Sequence, residues 1–70
     1  MSNRINTYYI LEDQFINVGV WDYVDRYARL SGVLADIEID SGCPMRIVRY
    51  ARNRIPEVVR QWDADGKRIV

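Results

Sequence analysis

Hydrophobic residues change their period several times along the chain, and each change predicts an element. Residues 5–11, "INTYYIL", and 14–21, "QFINVGVW", are short β-prone runs separated by Glu12 and Asp13. In the second run Ile16, Val18 and Val20 alternate with Asn17 and Gly19, so the pair predicts a hairpin. After Trp21 the spacing lengthens. Val24, Tyr27, Ala28 and Ser31 fall at i, i+3, i+4 and i+7, which predicts the one helix, with Asp22 as its N-cap and Gly32 closing it.

Period two returns in residues 33–40, "VLADIEID", where Ala35, Ile37 and Ile39 alternate with Asp36, Glu38 and Asp40. "SGCP" supplies a turn, and "MRIVRYAR" from Met45 reads as the second arm of a hairpin. That register sets Ile37 against Val48 and Asp36 against Arg49, an exposed ion pair worth at most ~1 kcal/mol. Residues 45–62 fit helical spacing too, since Val48, Ala51, Ile55, Val58 or Val59, and Trp62 share a helical face. Strands are preferred. The arms around "DADG" are β-branched, Asp63 suits the start of a type I turn, and Gly66 suits a left-handed position.

The pattern predicts a single α+β domain over 1–70, a small, mostly antiparallel sheet of five or six short strands with one helix on one face. Composition agrees. Eight isoleucines and eight valines against three leucines favour pleated sheet, and 49% hydrophobic with 29% charged residues is globular. The longest uncharged stretch, 14–21, is far short of the ~20 apolar residues that span a bilayer, and the polar start has no apolar leader core behind it. A cytoplasmic protein without a membrane partner is expected.

Absent residues exclude more chemistry than present ones suggest. There is no histidine, which removes Ser-His and Cys-His nucleophiles and the usual zinc ligand, and the single Cys43 has no internal disulfide partner. Asp36, Glu38 and Asp40 would stand roughly 6–7 Å apart on one side of a strand, close enough to share a hard cation. The only lysine, Lys67, lies far away in sequence, so a solvated acidic strand face is the simpler reading. "DADG" opens like a calcium loop, but the chain stops four residues after Gly66, before any terminal glutamate. No enzyme activity, metal or cofactor is expected.

Charge is balanced overall and polarised in sequence. Residues 1–40 carry three basic and seven acidic side chains, and 41–70 carry seven basic and three acidic. Five arginines lie in "MRIVRYARNRIPEVVR", and with Arg49 paired there remain Arg46, Arg52, Arg54 and Arg60, flanked by Tyr50 and Trp62. Arginine and aromatic side chains dominate interface energetics, so these six are the expected partner contacts. The same mixture can grip single-stranded nucleic acid, yet zero net charge gives no field to collect phosphates. A protein or nucleoprotein partner is favoured over bare nucleic acid.

"MRI" at Met45, Arg46 and Ile47, with "DGKR" at Asp65 to Arg68 and Val70 at the end, resembles small phage-encoded anti-CRISPR proteins. That resemblance implies a compact, non-catalytic inhibitor acting in the host cytoplasm by coating part of a CRISPR effector complex. Finally, the expected ladder leaves Ile47, Ala51 and Met45 opposite Ile37 and Val48, on a face that one helix does not cover. A homodimer with Ile47 at its contact is therefore expected.

Overall fold

The computed structural model describes residues 7–39 and 41–70. Its elements are β1 (Thr7–Asp13), β2 (Asp22–Tyr27), α1 (Leu30–Asp36), β3 (Met45–Ala51) and β4 (Glu57–Trp62). The strands form one sheet in the order β2-β1-β3-β4, with every neighbouring pair antiparallel. The class is α+β, with four strands among the described residues rather than five or six. Among the described residues no helix is long and apolar enough to cross a membrane.

Helix and strand are exchanged in the middle of the chain relative to the sequence expectation. Residues 22–27 form β2, paired with β1 from Tyr9 with Tyr27 to Asp13 with Asp22. The register shifts between Leu11 and Glu12, opposite Val24. An extra residue in one strand breaks its period of two. Val24 and Tyr27, three apart in sequence, consequently border the same crevice, a spacing that mimics a helical turn. The helix lies instead at "LSGVLAD", where Leu30, Val33 and Ile37 take positions i, i+3 and i+7 toward the core. Arg29 occupies the N-cap position with extended backbone and no side-chain cap bond, so Asp22 caps nothing. Gly32 lies inside the helix, where a Cβ would come 3.4 Å from the Tyr27 ring. That is ordinary van der Waals contact, so neither packing nor backbone conformation demands glycine there.

The hairpin expected between 33–40 and 45–52 does not form. β3 runs between β1 and β4, so Ile47 faces Leu11 on one side and Arg60 on the other. Arg49 lies across from Tyr9 and Glu57, and its guanidinium bonds the Glu57 carboxylate rather than Asp36. Residues 14–21 are a loop, not a strand, because both edges of β1 are already paired. The first hairpin thus joins β1 to β2 across that loop.

The turn at the end of β4 follows its sequence signals, although the returning arm makes only an isolated bridge and not a fifth strand. Gly66 has φ +81°, its N–H bonds the Asp63 carbonyl at 3.0 Å, and Asp63 Oδ1 accepts from the backbone of Asp65 and Lys67 at 3.0 and 2.9 Å. Trp62 bridges Arg68 across this turn. Residues 45–62 are strands, joined by a turn in which Asn53 takes φ +61°. Asparagine tolerates that left-handed conformation better than most residues.

One face of the sheet carries the core. Leu11, Met45, Ile47 and Trp62 from the strands meet Val33 of α1 and Cys43 of the preceding connection, with Val33 and Ile47 wholly buried. Ile37 and Ile39 pack against this cluster, so Met45 and Ile47 lie on the same side as Ile37, not opposite it. The core covers Ile47 from within the chain, which removes it from any subunit contact.

Candidate interaction face

Strand alternation sends Tyr8, Ile10 and Glu12 of β1, and Arg46, Val48 and Tyr50 of β3, to the face away from the core. Their register is direct: Tyr8 with Tyr50, Ile10 with Val48, and Glu12 with Arg46. β2 adds Arg26 opposite Ile10, and β4 adds Val58 opposite Val48. Among the described residues no helix covers this face. Ile10 and Val48 are nevertheless buried, at 9% and 4% exposure, beneath the larger side chains around them.

Those larger side chains form two ordered groups. The Tyr8 and Tyr50 rings stack with centroids 5.3 Å apart and planes inclined by 9°, and the Arg26 guanidinium lies 4.1 Å from the Tyr8 ring centre. β1 lies between β2 and β3, so arginine and tyrosine approach Tyr8 from opposite sides. Stacking between neighbouring strands stands both rings on edge, with their faces turned along the sheet. In the second group Arg46 donates to Glu12 Oε1 at 2.6 Å and lies 4.3 Å from the centre of the Trp21 ring. Cation–π contacts of this kind each contribute ~0.5–1 kcal/mol when exposed.

Acidic side chains gather on the other side, beside α1. Asp13, Asp25, Asp36 and Glu38 border a crevice of about 250 Å³ whose apolar wall includes Leu11 and Met45. Asp36 ends the helix and Glu38 follows it, so the acidic strand face is not formed; Asp40 lies outside the described residues. Among the described residues no three potential ligands converge on a metal position. The Tyr27 hydroxyl donates to Asp36 Oδ2 at 3.1 Å. Loss of solvent around Tyr27, then that bond and the charges of Asp36 and Asp25, raise its pKa above the ordinary 10.0. The proton is held more tightly folded than unfolded, so the linked stability is present below that ordinary value and is lost as pH rises through the folded one. Titration followed by phenolate absorbance is expected to show Tyr27 ionising late, and earlier in Asp36→Asn; an unchanged Tyr27 transition in that variant would count against the contact.

The six residues expected to meet a partner divide. Arg46 and Tyr50 lie on the open face, Arg52 and Arg54 lie exposed in the β3–β4 turn, and Arg60 in β4 donates Nη1 to the Val59 carbonyl at 2.8 Å. Trp62 is a core residue, 6% exposed, and cannot be a surface contact in the folded chain. Sequence reasoning missed Tyr8, Trp21 and Arg26. A strand through "TYYI" must send its two tyrosines to opposite faces, and that signal was available; Arg26 was hidden by the helical reading of β2.

Searches with the chain match no protein-family model, no curated protein and no solved structure.

Proposed function

We propose that this chain is a non-enzymatic interaction module whose open sheet face, centred on Tyr8, Tyr50, Arg26 and Arg46, docks on a protein surface. The observation that carries this reading is the placement of Tyr8 between a guanidinium and a second ring. A single-strand platform needs aromatic faces free for bases to lie on. Here the Tyr8 faces are occupied, and what meets a partner is tyrosine edges, hydroxyls and arginine donors around a buried apolar pair. Such amphipathic, pre-ordered side chains contribute contact area with little loss of conformational freedom. Glu12 further neutralises Arg46, which leaves little net charge for gripping phosphates.

The resemblance at Met45 to Ile47 and Asp65 to Val70 turns this reading toward one class of partner, a CRISPR effector complex. Capture from host lysate, with and without nuclease, tests the general reading, and a CRISPR-interference assay with the co-expressed chain tests that partner. Tyr50→Ala and Arg26→Ala are expected to weaken capture about 10- to 30-fold, the effect of truncating an interface anchor, while leaving the chain folded. Wild-type affinity in both variants would exclude the open face. Titration of labelled single-stranded RNA and DNA is expected to give flat, millimolar binding; micromolar affinity falling steeply with salt would favour the nucleic-acid reading instead.

A further inference from the structure

We infer that the β1–β2 loop, residues 14–21, is a self-association surface that receives the same loop of a second copy of this chain. Phe15, Ile16, Val18 and Val20 are 75%, 74%, 95% and 49% exposed. Together they display on the order of 500 Å² of apolar surface, near the upper end of the largest patch found on a typical monomer. Their exposure is built in. Gln14 N–H bonds the Pro44 carbonyl at 3.1 Å, and Gln14 Oε1 accepts from Gly19 N–H at 3.0 Å. Val20 N–H bonds the Asn17 carbonyl at 3.1 Å, and Gly19 takes φ +85° with open space around it. A loop held this way cannot fold its apolar side chains inward, and little freedom is lost when it binds.

A second copy is the occupant because knob and socket lie side by side. Next to the loop is a crevice of about 390 Å³, with Phe15 and Val18 on one side and Gly42, Cys43, Pro44 and Ala64 on the other. Ile16 belongs to the loop but not to the crevice wall. A two-fold contact needs one patch that contains both an inserting group and its receptacle. Ile16 of each copy entering the crevice of the other meets that requirement. Two loops of about 500 Å² supply on the order of 1,000 Å² when both are covered, the lower bound for a specific interface, and the crevice walls add to it. Trp21 of this loop packs on Arg46 of the open face, whereas Phe15, Ile16 and Val18 take no part in the open-face groups, so variants at those three positions test dimerisation apart from partner docking.

Sedimentation equilibrium over a micromolar concentration series tests the inference with variants that leave the core untouched. The wild type is expected at twice the 8.3 kDa chain mass. Ile16→Asp and Val18→Ser are each expected to shift it to the chain mass, with at least a tenfold weaker association and unchanged circular dichroism. A wild type that stays at 8.3 kDa throughout overturns the inference. So does a dimer that survives both variants, or one broken only by Tyr50→Ala, which would place the contact on the open face. Association without a fixed stoichiometry would show a merely sticky loop and overturn it too.

Discussion

Ile47→Ala is expected to lower the unfolding free energy by about 4 kcal/mol, the upper part of the range for emptying a close-packed aliphatic site. Ile47 is wholly buried, flanked by Leu11 across one ladder and Arg60 across the other, and clustered with Val33, Met45 and Trp62. β3 is an interior strand, held on both edges, so the backbone cannot easily collapse into the space left behind. A chain of 70 residues has a total stability of roughly 4–10 kcal/mol. The variant should therefore melt on the order of 20 °C lower, or be partly unfolded at room temperature. Urea unfolding checks this directly: the midpoint should fall with little change in slope, whereas a loss under about 1 kcal/mol would mean that Ile47 is not central to the core. Ile47→Glu is expected to unfold the chain outright. A shift to monomer in a still-folded Ile47→Glu protein would instead restore the subunit contact expected from sequence.

The error at Ile47 has a traceable cause. The expected face of Ile47 follows from pairing 33–40 with 45–52, and a register inference holds only when the neighbouring strand is the right one. "VLADIEID" alternates cleanly, yet Leu30, Val33 and Ile37 also fit a helical stripe once the residues before it are included, and burial of that stripe decides the outcome. The bulge at Val24 produced the converse mistake in β2. Local chemistry was reliable at the C-terminal turn but not at the helix ends, where neither Asp22 nor Gly32 takes the capping role its type suggests. Asp63 and Gly66 marked their turn correctly because their conformations depend on the next few residues alone, as did the β-branched arms of β4.

The interaction face was half legible for the same reason. Arg46 and Tyr50 belong to one predicted strand and lie four residues apart, an even spacing that places them on a common face. Tyr8 and Arg26 join them only through the order β2-β1-β3, a long-range fact that the sequence pattern did not carry. Charge told less. The acidic first half and basic second half are not paired as two adjacent strands; Glu12 meets Arg46 across β1 and β3, and Glu57 meets Arg49 across β3 and β4. Asp13, Asp25, Asp36 and Glu38 gather beside α1, while Asp63 and Asp65 lie in the C-terminal turn.

Trp62→Ala is expected to cost about 3–5 kcal/mol, the range for removing a large buried aromatic. The side chain is 6% exposed at the end of β4, opposite Met45 on the core face, and its backbone bridges Arg68. It thus secures the edge of the core and the returning C-terminal segment together. Trp62→Phe keeps much of the packed volume and should cost less than about 2 kcal/mol. Partner capture separates this role from the surface role of Tyr50. With Trp62→Ala, binding should fall in proportion to the unfolded fraction and return when stabilising osmolyte restores the fold. With Tyr50→Ala it should stay weak however completely the chain is folded. A folded Trp62→Ala protein that still failed to bind would make Trp62 a contact after all, and would require the C-terminal hairpin to open when the partner docks.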